Sequence, residues 1–173
     1  MTRYVAFLRS INVGCRIVKM DRLRRVFESL GFSNVETFIA SGNVVFESTS
    51  KNAKALEGKI EAKLKEALGY EVATFVRTTD ELADIAEYKP FGNLKPGEGL
   101  YIAFVAEPPG AATKRKLMSS RTKTNDFRVH KREIYWLCRT RFSESEFSGP
   151  LLDKILGTPA TVRNVNTVRK IAA

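Results

Sequence analysis

The sequence predicts an α+β protein of two βαββαβ halves, each with a sheet covered by helices. Three observations lead there. Strand-like and helical periodicities alternate twice in the same order along the chain. In each half, two short strands follow one another across a brief polar connection, which is a hairpin signal. The segments YVAFLR and YIAFVA open the two halves at corresponding places. The order βαββαβ is the ferredoxin-like split βαβ. Duplication is the favoured reading, because short apolar strands resemble one another by chance but a shared order of elements does not.

In the first half, YVAFLR is an apolar run bounded by a polar loop and reads as a buried strand. MDRLRRVFESLG places Met20, Leu23, Phe27 and Leu30 on one helical face, with Gly31 as its stop. VETFIA and VVFES are β-rich runs separated by SGN. The next helix starts at Ser50 as its expected cap, carries Leu56, Ile60, Leu64 and Leu68 at i+4 spacing, and ends at Gly69. EVATFVRT closes the half as a strand.

The helix DELADIAEY and the loop KPFGNLKPGEG, with two Pro and three Gly, bridge the halves. Strand LYIAFVAE, helix GAATKRKLMSSR, paired strands DFRVHK and EIYWLCR, helix PLLDKILG, strand ATVRN and a final turn NTVRKIA follow. The expected division is residues 1–78 for the first half, 79–99 for the connection and 100–173 for the second half with its terminal helix.

The chain of 173 residues is 43% hydrophobic and 28% charged, which is ordinary globular usage. Cys15 and Cys138 stand in no metal-ligand or redox spacing, which fits a reducing cytoplasm. The apolar run near the N-terminus is too short for a signal peptide, and no run is long enough to span a membrane. The expectation is a cytoplasmic protein with no membrane partner. The net charge of +10 favours an anionic partner. It concentrates in residues 112–141, where ten basic residues face Asp126 and Glu133. A solvated basic face is the plainer account of that stretch, and a nucleic-acid surface the sharper one.

Familiar catalytic sets are absent from the sequence. The single histidine, His130, lies within an expected strand and reads as an ordinary strand residue. Three Cys and His residues in all argue against zinc, and there is no phosphate-binding glycine motif. No metal and no cofactor is expected. What stands out is a set of Arg, Asn, Ser and Gly residues in loops. LRSINVG places Arg9, Ser10, Asn12 and Gly14 after the first strand, and ASGNVVF places Ser41, Gly42 and Asn43 in the first hairpin. The first two strands of a βαββαβ sheet run parallel, so these two clusters share one end. Arg offers a planar fork for phosphate or carboxylate, Asn and Ser offer donors and acceptors, and Gly allows close backbone approach. The competing account is turn chemistry, which demands Ser, Gly and Asn anyway.

LRSINVG, VKMDRLRRVFESLGF, TFIASGNVVF and TVRNVNTVRKI together resemble the bacterial domain-of-unknown-function 1697 family, from end to end of the chain. The resemblance singles out Arg9, Asn12, Val13, Gly14, Ser41, Gly42, Asn43, Arg163, Asn164, Asn166 and Thr167. Ser10 and Cys15 stand where the family usually has Gly, and Val165 where it usually has Trp. The resemblance implies an α+β fold in two similar parts and no established activity. Two accounts of the terminal RNVNT block follow. Either it brings Arg163 and Asn164 to the N-terminal loops, or Asn166 caps the last helix while Arg163 and Asn164 bind backbone.

Three functions are open from sequence. The first is binding of a small anionic ligand, a nucleotide or sugar phosphate, by the loop cluster. The second is a nucleic-acid-binding module using residues 112–141, although SGNVVFES puts Asn43 and Val45 where RNA-recognition sheets carry aromatics. The third is a protein-interaction scaffold anchored by Tyr88, Phe91 and Leu94, with packing under their own loop as the commoner alternative. Oligomeric state is not legible.

Overall fold

The computed structural model describes residues 1–9, 18–38, 42–140 and 149–173. In chain order they form β1 (Thr2–Leu8), α1 (Met20–Glu28), β2 (Ser33–Phe38), β3 (Asn43–Ser48), α2 (Ala53–Leu68), β4 (Thr74–Thr78) and α3 (Thr79–Glu87). Then come β5 (Gly99–Phe104), α4 (Ala111–Ser119), β6 (Asn125–His130), β7 (Glu133–Cys138), α5 (Gly149–Leu156), β8 (Thr161–Asn164) and α6 (Val165–Ala172). The strands make two four-stranded antiparallel sheets, ordered β2-β3-β1-β4 and β6-β7-β5-β8. The two ferredoxin-like halves are therefore present in the expected order. The chain divides into two compact units, essentially Met1–Asp84 and Ile85–Ile171, so the division falls within α3. Among the described residues no helix is long and apolar enough to cross a membrane.

The two sheets repeat residue for residue. Thr2 to Phe7 pair with Ser48 to Asn43, and Gly99 to Phe104 pair with Cys138 to Glu133 in the same frame. On the other flank Val5 faces Arg77 and Phe7 faces Phe75, as Ile102 faces Arg163 and Phe104 faces Thr161. A slip of one residue in either copy would turn every side chain to the opposite face. Agreement across both ladders thus supports duplication more strongly than the likeness of YVAF to YIAF.

Alternation along these strands places Tyr4, Ala6, Leu8, Val44, Phe46 and Val76 against Leu23, Phe27, Leu56, Ile60 and Leu64 of α1 and α2. Phe46 stacks on Phe32 with ring centroids 4.4 Å apart. In the second unit Trp136 takes the position of Phe46, opposite Tyr101, and packs with Ala103, Phe127 and Leu152. Its indole N–H donates to Asn125 Oδ1 at 2.8 Å, which satisfies the polar end of a fully buried ring. The opposite faces are buried too: Val5, Phe7 and Val45 in one sheet, Ile102, Phe104 and Tyr135 in the other.

The α2 cap corrects the sequence expectation. Asn52, not Ser50, is the N-cap, its Oδ1 accepting from Ala55 N–H at 3.1 Å. The helix begins only at Ala53, so Ser50 is too far back to reach its first turn; its Oγ accepts from Asn52 N–H instead. Gly69 ends α2 as expected, at φ +83° and with its N–H on Lys65 O.

Side chains engage backbone groups at the sheet edges. Along edge strand β4, Thr74, Val76 and Thr78 present backbone N–H groups away from β1. Glu61, Glu57 and Glu81 carboxylates accept these at 3.3, 2.8 and 3.0 Å. Arg77 folds back so that its guanidinium donates to Val76 O at 3.0 Å. The second unit repeats the device: Asp153 accepts from Ala160 N–H at 3.2 Å, and Arg163 donates to Val162 O at 3.0 Å. On edge strand β6, Asp126 accepts from Phe127 N–H at 2.8 Å and Arg128 donates to Phe127 O at 2.9 Å. Buried backbone groups left unpaired are costly, and a bare edge invites another strand. Glu57→Ala, which orphans the buried Val76 N–H, is expected to lower unfolding free energy in urea by about 2 kcal/mol. Glu57→Gln keeps an acceptor oxygen and is expected to cost clearly less. Equal losses in the two variants would tie the effect to the charge and not to the edge hydrogen bond.

Candidate functional site

Strand pairing fixes which loops meet in the first unit. Phe7 lies opposite Asn43, and Leu8 N–H donates to Gly42 O at 2.9 Å. One residue on, Arg9 N–H donates to Ala73 O at 2.9 Å, on the β4 side. The exit of β1, the β2–β3 hairpin and the entry to β4 therefore share one sheet end, as the topology required. Gly42 sits at φ +79°, a conformation that side chains disfavour, which explains glycine there. Asn43 is buried, and its Nδ2 donates to Phe38 O at 3.0 Å across the hairpin. Arg9 is half-buried at the mouth of this end. Asn12, Gly14 and Ser41, with Ser10, Val13 and Cys15, lie outside the described residues.

Arg163, Asn164, Asn166 and Thr167 belong to the second unit. Arg163 is buried on β8, donating to Thr161 Oγ1 at 2.6 Å as well as to Val162 O. Burial lowers its pKa to about 10, so the guanidinium stays charged at neutral pH. Arg77 holds the matching place in the first unit, a correspondence that the sequence reading missed although TFVRT and TVRN both set Arg after Val in the last strand. Asn164, not Asn166, caps α6: its Oδ1 accepts from Asn166 N–H at 2.8 Å. Asn164 is the last residue of β8 to pair with β5, so the backbone leaves the extended state there. Asn166 is exposed in the first turn and Thr167 half-buried, while Val165, Val168 and Ile171 pack inward.

The aromatic candidates of the connection are engaged. Tyr88 stacks on His130 with centroids 4.2 Å apart and meets Tyr135 edge-on, while Arg128 lies over the Phe91 ring at 5.0 Å. Both aromatics thus pack against their own sheet. The basic stretch is uneven: Arg128, Arg139 and Arg121 gather round Asp126 at 3.0, 3.9 and 4.0 Å. Lys114, Arg115 and Lys116 on α4 are exposed and make no ion pair among the described residues. Among those residues no group of three His, Cys, Asp or Glu could hold a metal. Cys138 is buried.

These features define a doubled ferredoxin-like α+β protein with Arg9, Gly42 and Asn43 at one end of its first sheet. Residues 1–135 match the family described as Protein of unknown function (DUF1697), and the chain belongs to that family. Its fold is similar to that of the conserved bacterial protein SP0830 from Streptococcus pneumoniae, with a TM-score of 0.79 and 24% identity over 99% of this chain and 97% of that one. No curated protein matches the sequence. Asn164→Ala is expected to destabilise the protein by about 1 kcal/mol through loss of the α6 cap. Asn166→Ala should stay within about 0.5 kcal/mol of wild type in the same denaturation, as for an exposed surface position. The reverse order would return the cap to Asn166.

Proposed function

We propose that this protein binds a small anionic ligand, a nucleotide or sugar phosphate, at the end of the first unit's sheet. The observation that carries the reading is the backbone pairing of Leu8 with Gly42 and of Arg9 with Ala73, which sets Arg9 beside the Gly42–Asn43 hairpin. Arg9 supplies a fixed cation with a planar fork. Gly42 lets a ligand approach the backbone, and Asn12, Gly14 and Ser41 stand within a few residues of Arg9 and Gly42 in the sequence. Arg163 and Asn164 already serve β8 and α6, so the reading rests on the first-unit residues. Any chemistry there would rely on positioning and electrostatic stabilisation, since the one histidine is stacked on Tyr88 in the other unit.

A second reading, nucleic-acid binding, is favoured by the unpaired cations of α4. It uses phosphates only. The sheet faces that would stack bases carry Val5, Val45, Ile102 and Tyr135, all buried.

A thermal-shift panel of nucleotides, sugar phosphates and a short single-stranded RNA at two salt concentrations separates these readings. Arg9→Ala is the informative variant, because Asn43 is buried and its loss would mix folding with binding. At about 100 times Kd, a native-state ligand adds roughly 2.7 kcal/mol, or about 5–10 °C in Tm for a chain of this size. The expected result is that one small anion shifts the wild type and leaves Arg9→Ala unmoved. A shift by RNA alone, lost in Lys114→Gln/Arg115→Gln/Lys116→Gln and at high salt, would replace the first reading with the second.

A further inference from the structure

A polar cavity lies at the far end of the same sheet, where Thr2 pairs with Ser48. Its volume is about 180 Å³, and its walls include Phe32, Ser48, Thr49, Ser50 and Lys59. It shares no residue with the loops around Arg9 and stands independently of the function proposed above.

The hydrogen-bond inventory of this cavity is one-sided. Ser48 Oγ accepts from Ser50 N–H, and Ser50 Oγ accepts from Asn52 N–H, each at 3.2 Å. A hydroxyl that accepts in this way still has its own proton to donate. Among the described residues no acceptor takes either proton. Ser48 is itself buried, so bulk water does not simply cover it. The Ser50 carbonyl is already used, accepting from Tyr4 OH at 2.6 Å. Lys59 Nζ lies 5.7 Å from the centroid of Phe32 and 3.4 Å from Leu30 O. That long contact occupies one of three ammonium protons and leaves the others to donate. No carboxylate lines the cavity. What remains is a lining with two hydroxyl protons and ammonium protons to donate, one positive charge and no carboxylate.

Such a lining complements a group that only accepts and carries negative charge. The backbone is also fixed in advance: the Tyr4–Ser50 bond ties the loop to the core strand β1, and Asn52 locks the start of α2. Ordering costs on binding are thereby reduced. We propose that this cavity is an oxyanion site that takes a phosphate group, held by the hydroxyls of Ser48 and Ser50 and by the ammonium of Lys59.

The test is a titration of ¹⁵N-labelled protein with inorganic phosphate against chloride at matched ionic strength. Saturable shifts are expected at the amides of Thr49, Ser50 and Asn52. Lys59→Gln, at an exposed position that leaves the core untouched, should weaken binding by about tenfold, the loss of one charge-assisted contact. Lys63→Gln, which removes the same charge from α2 one turn on, should bind as wild type does, and so should Arg9→Ala. Phenyl phosphate is the second probe. Tighter binding than phosphate at the same amides identifies a phosphomonoester as the source, and weaker binding identifies the free ion. The proposal falls if phosphate leaves these amides unmoved, if Lys59→Gln binds like wild type, or if Arg9→Ala abolishes the shifts.

Discussion

The antiparallel pairing of β1 between β3 and β4, repeated by β5 between β7 and β8, is the constraint on which the rest of the structure depends. With neighbours on both flanks, the central strand has no freedom to slide, since a shift by one residue would carry Tyr4, Ala6 and Leu8 out of the helix-facing core. That frame decides which side chains are buried. It also decides which loops are neighbours, because antiparallel partners bring the exit of one strand to the entry of the next. The meeting of Leu8 with Gly42 at one end of the sheet, and of Thr2 with Ser48 at the other, both result from one register.

Within a fixed frame the two halves have diverged where the frame permits. Phe46 and Trp136 occupy one position in the core, and the larger ring needed Asn125 to satisfy its N–H. At the hairpins the change is chemical: Gly42 and Asn43 in the first unit correspond to Arg132 and Glu133 in the second. Phe75 beside Arg77 corresponds to Thr161 beside Arg163, which gives the second arginine a hydroxyl partner that the first does not have at that position. Ladder hydrogen bonds are insensitive to such exchanges, so the two units present different chemistry at corresponding ends of one frame.

The fold was legible because its signals are local. Alternation in YVAFLR, i+4 spacing in α2 and glycine at Gly69 each act within a few residues of where they appear. The caps were legible in kind but misplaced by two residues. Ser50 and Asn52, and again Asn164 and Asn166, offer two capping side chains close together, and the choice depends on where the strand or loop before the helix releases the backbone. The shared sheet end of Arg9 and Asn43 could be inferred from topology. The edge carboxylates could not: Glu57 meets Val76 nineteen positions away, through a side chain that in sequence looks like the polar face of an ordinary helix. The donor-lined cavity was hidden for the same reason, as Lys59 and Phe32 come together only through packing.

Closure of the edges has a consequence for the way this protein meets other molecules. On β4 and β6, at Val162 of β8 and at Ala160 just before it, backbone groups are already engaged by Glu, Asp and Arg side chains of the same unit. On β2, the register breaks between Ser33 and Glu36, and Asn34 turns to φ +49°, which bends the strand away from regular pairing. Among the described residues, an extended peptide therefore finds these edge positions already taken. At those positions the edges disfavour growth by main-chain addition, whether into fibrils or into a complex with a foreign strand. Selectivity toward a partner has to be written in side chains, and so can change by point substitution without disturbing the ladders beneath.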